Sequence, residues 1–183
     1  MKQIRFLLTC FFTIFILEFG HAQAPVEVGG AMMYPSKNIV QNAVNSKDHT
    51  ILVAALKAAG LVEALEGPGP LTVFAPTNEA FTLLPAGTVD NLLKPENKAV
   101  LTSILTYHVV SGKWDAAALM AKIKEGNGQA ELTTLQGGKI WVLMDGMHLK
   151  LKDEKGITAS VTIPNVYQSN GVIFVIDRVL MPN

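Results

Sequence analysis

The sequence predicts a single domain of the α+β class. Apolar residues recur at helical spacing between Asn38 and Leu105, whereas from Gln129 onward short strand-like runs are separated by glycine-containing turns. Helices that come first and strands that follow are typical of α+β folds rather than of alternating α/β folds. A length of 183 residues, of which 49% are hydrophobic, fits one domain with its own core.

Residues 1–22 have the pattern of a cleaved secretory signal peptide. A basic start with Lys2 and Arg5 is followed by an apolar run from Phe6 to Leu17. The run is short for a membrane span of about 20 residues, and a retained anchor is the alternative interpretation. We therefore predict a secreted protein of the periplasm or the exterior, associated with the cell surface, without a transmembrane segment after cleavage.

The cleavage site has two candidates, after Ala22 and after Ala24, where small residues suit a signal peptidase. Cleavage after Ala22 is favoured, because the fixed φ of Pro25 would disturb the extended segment that the peptidase holds. The next residues, 23–37, contain prolines and a Gly-Gly pair, and they are predicted to form an extended leader. The domain itself is predicted to span residues 38–183.

The domain begins with helical signals. Asn38 is a candidate N-cap of a first helix and Asp48 of a second, because their short polar side chains can accept hydrogen bonds from first-turn N–H groups. Gly60 is predicted to end the second helix. Leu61 to Glu66 adds a further helical turn.

One strand and three more helical segments follow. Leu71 to Ala75 lies between two prolines and is predicted to be a strand. Thr77 is a candidate N-cap for a short helix from Asn78 to Leu84, and Thr88 to Leu93 forms one more turn. Pro95 suits the first position of the next helix.

The chain then changes to β-rich patterns. Tyr107 to Val110 is predicted to be a strand, and Asp115 to Lys124 a small helix. Five further strands are separated by glycine turns. They are predicted at Ala130 to Leu135, Lys139 to Met144, Met147 to Lys152, Ile157 to Ile163 and Gly171 to Asp177.

The composition argues against nucleic-acid binding and against common cofactor sites. Fifteen basic residues balance 15 acidic residues, so the chain lacks the basic surface of a nucleic-acid binder. His49, His108 and His148 lie in different predicted elements, without a carboxylate or cysteine at ligand spacing, so no metal site is predicted. We predict no cofactor.

The sequence also lacks a recognisable catalytic set. No Gly-x-Ser-x-Gly elbow is present, and the single cysteine, Cys10, lies within the predicted signal. Asp145, Asp153 and Glu154 fall in predicted hairpin tips, where we expect them to be solvated. We predict that the protein has no catalytic residues and is not an enzyme.

Three segments resemble the signatures of one known family. Residues 72–81 (TVFAPTNEAF) resemble the first signature of the fasciclin domain, and residues 169–177 (SNGVIFVID) resemble its second. Between them, residues 105–110 (LTYHVV) resemble its central Tyr-His segment. The resemblance implies a fasciclin-like fold, a compact wedge or sandwich of about seven strands with several short helices packed along one edge.

The signature residues are predicted to serve architecture rather than chemistry. Thr77 caps a helix, Pro76 removes a backbone donor where a strand stops, and the Asn170-Gly171 pair suits a turn with positive φ. The run from Val172 to Ile176 is predicted to be a strand buried on both faces. The full set is Thr72, Phe74, Ala75, Pro76, Thr77, Phe81, Asn170, Gly171, Val172, Ile173, Ile176 and Asp177.

Tyr107 and His108 have two interpretations. In the first, strand alternation points one of them inward, where its polar tip bonds to backbone and joins the helical half to the sheet. In the second, which the resemblance alone implies, this segment contributes to partner binding, as in adhesive animal members of the family.

These observations together predict a non-catalytic adhesion or interaction module of the bacterial envelope, cell surface or extracellular matrix. The expected partner is a cell-surface or matrix protein or a polysaccharide, without nucleic acid. Self-association is an alternative, because the chain carries one copy of a module that often gains avidity by repetition. The competing interpretation is a small-molecule or lipid carrier, or a weak enzyme, that uses an apolar cleft.

Overall fold

The computed structural model describes residues 23–183, so the predicted signal peptide lies outside the described residues. The helices are α1 (Ile39–Ala43), α2 (Thr50–Ala59), α3 (Val62–Glu66), α4 (Asn78–Thr82), α5 (Thr88–Leu92), α6 (Lys98–Tyr107) and α7 (Ala116–Glu125). The strands are β1 (Val26–Val28), β2 (Ala31–Met33), β3 (Leu71–Pro76), β4 (Val109–Ser111), β5 (Gln129–Thr133), β6 (Lys139–Asp145), β7 (His148–Lys152), β8 (Thr158–Gln168) and β9 (Gly171–Ile176).

Seven strands form one nearly closed sheet, in the order β4-β3-β9-β8-β7-β6-β5. Strands β3 and β9 are parallel, and the other neighbouring pairs are antiparallel. The two ends of the sheet meet where Leu135 N donates to Val109 O at 2.7 Å, next to a bridge between Val110 and Thr134. Closure in this way leaves few strand edges exposed to other chains.

Two buried hydrophobic clusters lie on opposite faces of the sheet. Successive residues of a strand point to opposite faces. Phe74 therefore joins the cluster inside the curved sheet, whereas Val73 and Ala75 join the cluster under the helices. Both faces of the central strands are covered, and every residue of β9 is buried, which confirms the prediction of a strand buried on both faces.

The two family-like signatures are neighbours in the fold. Strand β3 of the first pairs in parallel with β9 of the second, from Leu71 opposite Gly171 to Pro76 opposite Ile176. The rings of Phe74 and Phe174 lie 5.7 Å apart in this pairing. Segments almost one hundred residues apart in the sequence thus form the centre of one sheet.

The turn between β8 and β9 differs from its prediction. Neither Asn170 nor Gly171 has a positive φ. Glycine is required at 171 for a different reason, because a Cβ there would lie 2.0 Å from Leu71 O on the adjacent strand. The Asn170 side chain accepts from Ile39 N at 3.0 Å and donates to Leu65 O at 2.8 Å, so it ties two helices to this turn.

The start of α2 also differs from its prediction. Asp48 is not its N-cap, since it lies within a 3₁₀ turn over Lys47–His49 that precedes the helix. The first turn of α2 is instead capped from another element, because Asn78 Oδ1 accepts from Ile51 N at 3.0 Å. Gly60 ends α2 in the left-handed conformation with φ of 74°, as predicted.

The predicted extended leader contains a hairpin. Strands β1 and β2 pair with each other, and Val28 and Met33 are buried, with exposed fractions of 1% and 2%. Asn42 on α1 secures the hairpin, because its side chain both accepts from Tyr34 N and donates to Tyr34 O. Residues 26–34 therefore pack as part of the folded unit.

The predicted cap at Thr77 is confirmed and gives a first testable expectation. Thr77 Oγ1 accepts from Ala80 N at 3.2 Å, and the helix that it starts ends at Thr82, two residues before the predicted end. We expect Thr77→Ala to lower the free energy of unfolding by about 1 kcal/mol. Thr77→Ser, which keeps the hydroxyl, should unfold in urea as the unaltered protein does. Equal destabilisation by both variants would contradict a capping role.

Candidate functional site

The Tyr-His segment ends a helix instead of forming a strand. Tyr107 is the last residue of α6, His108 is its C-cap, and the strand begins only at Val109. Helical geometry at this position points both side chains inward, with exposed fractions of 0% for Tyr107 and 3% for His108. The expectation that alternation would bury only one of the two is therefore wrong.

The Tyr107 hydroxyl joins three parts of the fold. It donates to Lys139 O at 2.5 Å at the start of β6 and accepts from Glu154 N at 3.2 Å in the loop after β7. Burial raises the pKa of Tyr107 to about 12, so the hydroxyl keeps its proton for the bond to Lys139. The structural interpretation of this residue, with a polar tip bonded to backbone, is confirmed.

The two hydrogen bonds of His108 fix its protonation state. Leu180 N can only donate, so His108 Nε2, at 2.9 Å, is the acceptor and carries no proton. The proton lies on Nδ1, which donates to Ile104 O at 2.8 Å. Burial lowers the pKa of His108 to about 4, against the opposing effects of the Ile104 bond and the Asp153 carboxylate.

The position of Asp153 also differs from its prediction. It was predicted to be solvated in a hairpin tip, yet its exposed fraction is 1%. Its Oδ1 accepts from Lys155 N and Ile157 N, and its Oδ2 accepts from Met181 N, at 3.0, 2.8 and 2.9 Å. Three backbone N–H groups thus satisfy the buried carboxylate, and they tie the loop after β7 to the C-terminal segment.

Glu154 extends the same set of contacts. Its two carboxylate oxygens accept from Lys139 N at 2.9 Å and from Asn183 N at 3.2 Å. We call Tyr107, His108, Asp153 and Glu154 the Tyr-His hub. The hub joins α6, β6, the loop after β7 and the last residues of the chain.

The hub holds one side of a surface groove in place. The groove has a volume of about 440 Å³ and lies between α6 and the C-terminal segment over residues 180–183. The backbone of this segment is held by the hub at Leu180, Met181 and Asn183. We call this the α6–tail groove; it is lined by Ala99, Val100, Ser103, Ile104, Lys155, Met181, Pro182 and Asn183.

The family-like residues outside the hub occupy structural positions. The Thr72 hydroxyl donates to Gly112 O at 2.7 Å and accepts from Trp114 N at 2.9 Å. Asp177 Oδ1 accepts from Ser160 N at 2.7 Å, which ties the end of β9 to β8. Of the twelve predicted residues, Thr77 and Asp177 are partly exposed and the other ten are buried, namely Thr72, Phe74, Ala75, Pro76, Phe81, Asn170, Gly171, Val172, Ile173 and Ile176.

A small apolar cavity lies between the helices and the sheet. It leaves about 20 Å³ open to a water-sized sphere and is lined by apolar side chains together with His49 and His108. His49 Nδ1 lies 2.9 Å from Ser46 Oγ, and its Nε2 has no hydrogen-bond partner within residues 23–183. Burial lowers the pKa of His49. The cavity has room for one water molecule.

Across residues 23–183, no three His, Cys, Asp or Glu side chains come together in a way that could hold a metal ion. No helix in this range has the length and apolar character needed to cross a membrane.

Comparisons with known proteins place this geometry in a family. The fasciclin domain pattern matches residues 47–182. Protein sll1483 of Synechocystis sp. is 42% identical over 172 residues, which cover 93% of this chain and 87% of that protein. Immunogenic protein MPT70 of Mycobacterium tuberculosis is 39% identical over 163 residues, covering 86% and 74%. Cell surface glycolipoprotein MPB83 of Mycobacterium bovis is 34% identical over 166 residues, covering 88% and 68%.

A solved structure shows the same fold. It is described as a novel fold revealed by a FAS1 domain pair from the insect cell adhesion molecule fasciclin I. The TM-score is 0.70 at 18% identity, over 79% of this chain and 51% of the domain pair, so the chain spans about half of that protein. The fold class predicted from the sequence is confirmed, and the chain belongs to the fasciclin domain family.

Proposed function

We propose that this protein is a non-catalytic adhesion or interaction module of the cell surface or extracellular matrix, and that the α6–tail groove is its docking surface. One observation carries the proposal. The polar groups of the hub hold the C-terminal wall of an open groove against α6, and this groove presents apolar side chains to solvent. A partner protein would then bind to the groove, while Tyr107 and His108 support it from below without touching the partner.

The shape and chemistry of the groove support a protein partner. Val100, on α6, is 53% exposed, and Met181, on the opposite wall, is partly exposed. Ser103, Lys155 and Asn183 add polar groups to the lining. Protein interfaces usually combine apolar side chains with polar groups in this way.

The relatives support a surface location for such a module. One relative is named a cell surface glycolipoprotein, and the structural neighbour comes from an insect cell adhesion molecule. Non-catalytic function is consistent with the hub, because each carboxylate oxygen and each imidazole nitrogen in it bonds to a backbone N–H or C=O group. The secretory signal over residues 1–22 stays a prediction.

Val100→Asp tests the groove directly. The carboxylate would lie in the apolar part of the groove, and its position in the first turn of α6 is compatible with helix formation. We expect the folded variant to fail to restore surface attachment to a strain that lacks the gene. Val44→Asp is the matched control, since Val44 is 49% exposed at the end of α1, outside the groove. Full attachment with Val100→Asp, or equal loss with both variants, would contradict the proposal.

The carrier interpretation finds little room inside the protein. The internal apolar cavity holds about one water molecule, which is far below the roughly 300–1,000 Å³ of ordinary ligand pockets. A lipid or cofactor would need the helices to separate from the sheet. The interaction module is therefore the function that the geometry favours.

A further inference from the structure

A second groove lies on the outer face of the sheet, around Trp141. On β6, Ile140 and Val142 are fully buried, and Trp141 between them is partly exposed. Strand alternation therefore points the indole away from the core. The pairing register places Glu131 on one side of Trp141 and Lys152 on the other.

This groove, which we call the Trp141 groove, has a volume of about 420 Å³. Such a volume lies within the range of ordinary ligand sites. The groove is lined by Gln129, Trp141, Lys152, Asp153, Glu154, Lys155 and Gly156. Lys155 also borders the α6–tail groove, so the two grooves are neighbours on one surface.

The formal charge of the groove is zero, with Lys152 and Lys155 against Asp153 and Glu154, but in the described part of the chain its ammonium groups are without ion-pair partners. Its two carboxylates, on Asp153 and Glu154, already accept hydrogen bonds from backbone N–H groups. Within residues 23–183 the ion pairs are Lys139 with Glu131 and Lys150 with Asp145. Lys152 and Lys155 take part in neither, so the region that the structure describes supplies no carboxylate within 4 Å of their ammonium groups.

We propose that the Trp141 groove binds an acidic polysaccharide whose sugar rings carry carboxylate groups. The flat indole face would pack against the apolar face of a sugar ring. The Lys152 and Lys155 ammonium groups would pair with carboxylates, and the Gln129 amide would donate to and accept from hydroxyl groups.

The surroundings of Trp141 favour a polysaccharide over a protein. The centre of a protein interface is usually apolar and depleted of charge. Here the neighbours across the strands, Glu131 and Lys152, are charged, and Gln129 is polar and exposed. A single partly exposed aromatic ring among polar groups suits a ligand with many hydroxyl groups.

Binding can be measured with the purified protein in native gels that contain polygalacturonate, with dextran as the neutral polymer. We expect polygalacturonate to retard the protein and dextran to leave it unaffected, with retardation decreasing as salt is added. Trp141→Ala and the pair Lys152→Gln with Lys155→Gln should each weaken binding roughly tenfold or more. Trp141→Phe, which keeps a flat ring, should retain most of it.

The pair Lys57→Gln with Lys94→Gln is the charge-matched control, because both lysines are exposed outside the groove. The proposal would be overturned if polygalacturonate retarded Trp141→Ala as strongly as the unaltered protein. It would also be overturned if the control pair reduced retardation as much as the groove variants do. Equal retardation by dextran would overturn the carboxylate requirement. The proposal does not depend on the α6–tail groove, since Val100→Asp should bind polygalacturonate normally. Loss of attachment and loss of polysaccharide binding are therefore separate results.

Discussion

Asp153→Asn is expected to lower the free energy of unfolding by about 4 kcal/mol, the largest effect among our predictions. An amide has one acceptor oxygen, whereas Asp153 presents two oxygens to three backbone donors, on Lys155, Ile157 and Met181. In either orientation the NH₂ group faces at least one buried N–H. Losing a bond to a charged group costs roughly 1.5–3 kcal/mol, and an unpaired buried donor a further 1–3.

Urea unfolding followed by tryptophan fluorescence would measure this loss, which corresponds to a fall in melting temperature of roughly 8–16 °C. Asp90→Asn is the matched control, because Asp90 is exposed on α5 and the same chemical change there should leave stability unaltered. If Asp153→Asn unfolded at the same urea concentration as the control, the assignment of Asp153 as a structural anchor would be wrong.

Acidification is expected to destabilise the protein through His108. The pKa of His108 is about 4 in the folded state and near 6.5 when exposed in the unfolded chain. Between these values the unfolded chain binds a proton that the folded protein excludes. Stability therefore falls as the pH decreases from about 6.5 to about 4, by up to about 3 kcal/mol. Protonation in the folded state would also break the bond from Leu180 N to Nε2.

The titration of His108 can be followed directly by NMR of its imidazole nitrogens. We expect the neutral form with the proton on Nδ1 at pH 7, and no titration until well below pH 5.5. His148, which is exposed on β7, provides a second imidazole signal in the same spectra. A midpoint near 6.5 for His108 in the folded protein would refute the buried, neutral assignment. Urea unfolding at several pH values would measure the predicted loss of stability.

Local patterns in the sequence predicted much of the fold. The cap at Thr77, the glycine that ends α2 and the apolar run of β9 depend on neighbouring residues, so their signals are visible in a short window. The two family-like signatures were separate motifs in the sequence, and the structure adds that their strands β3 and β9 lie side by side.

The sequence predictions that proved wrong concern residues whose contacts come from distant parts of the chain. Asp48 resembles an N-cap, but the side chain of Asn78, on another helix, accepts the hydrogen bond from a first-turn N–H group of α2. Tyr107 to Val110 has the composition of a strand, yet the helix continues to Tyr107 because burial in the hub stabilises it there. Asp153 resembles a solvated turn residue, and only the return of the C-terminal segment buries it.

The sequence by itself determined the fold class, the family and most element positions, because these depend on local periodicity, turn chemistry and three specific motifs. The tertiary structure decided that Tyr107 and His108 are both buried, that Asp153 anchors the chain end and that Trp141 lies beside Lys152 and Lys155 in one groove. Each of these facts depends on contacts between residues far apart in the chain. The closed sheet brings these residues together, and their burial and hydrogen bonds follow from that arrangement.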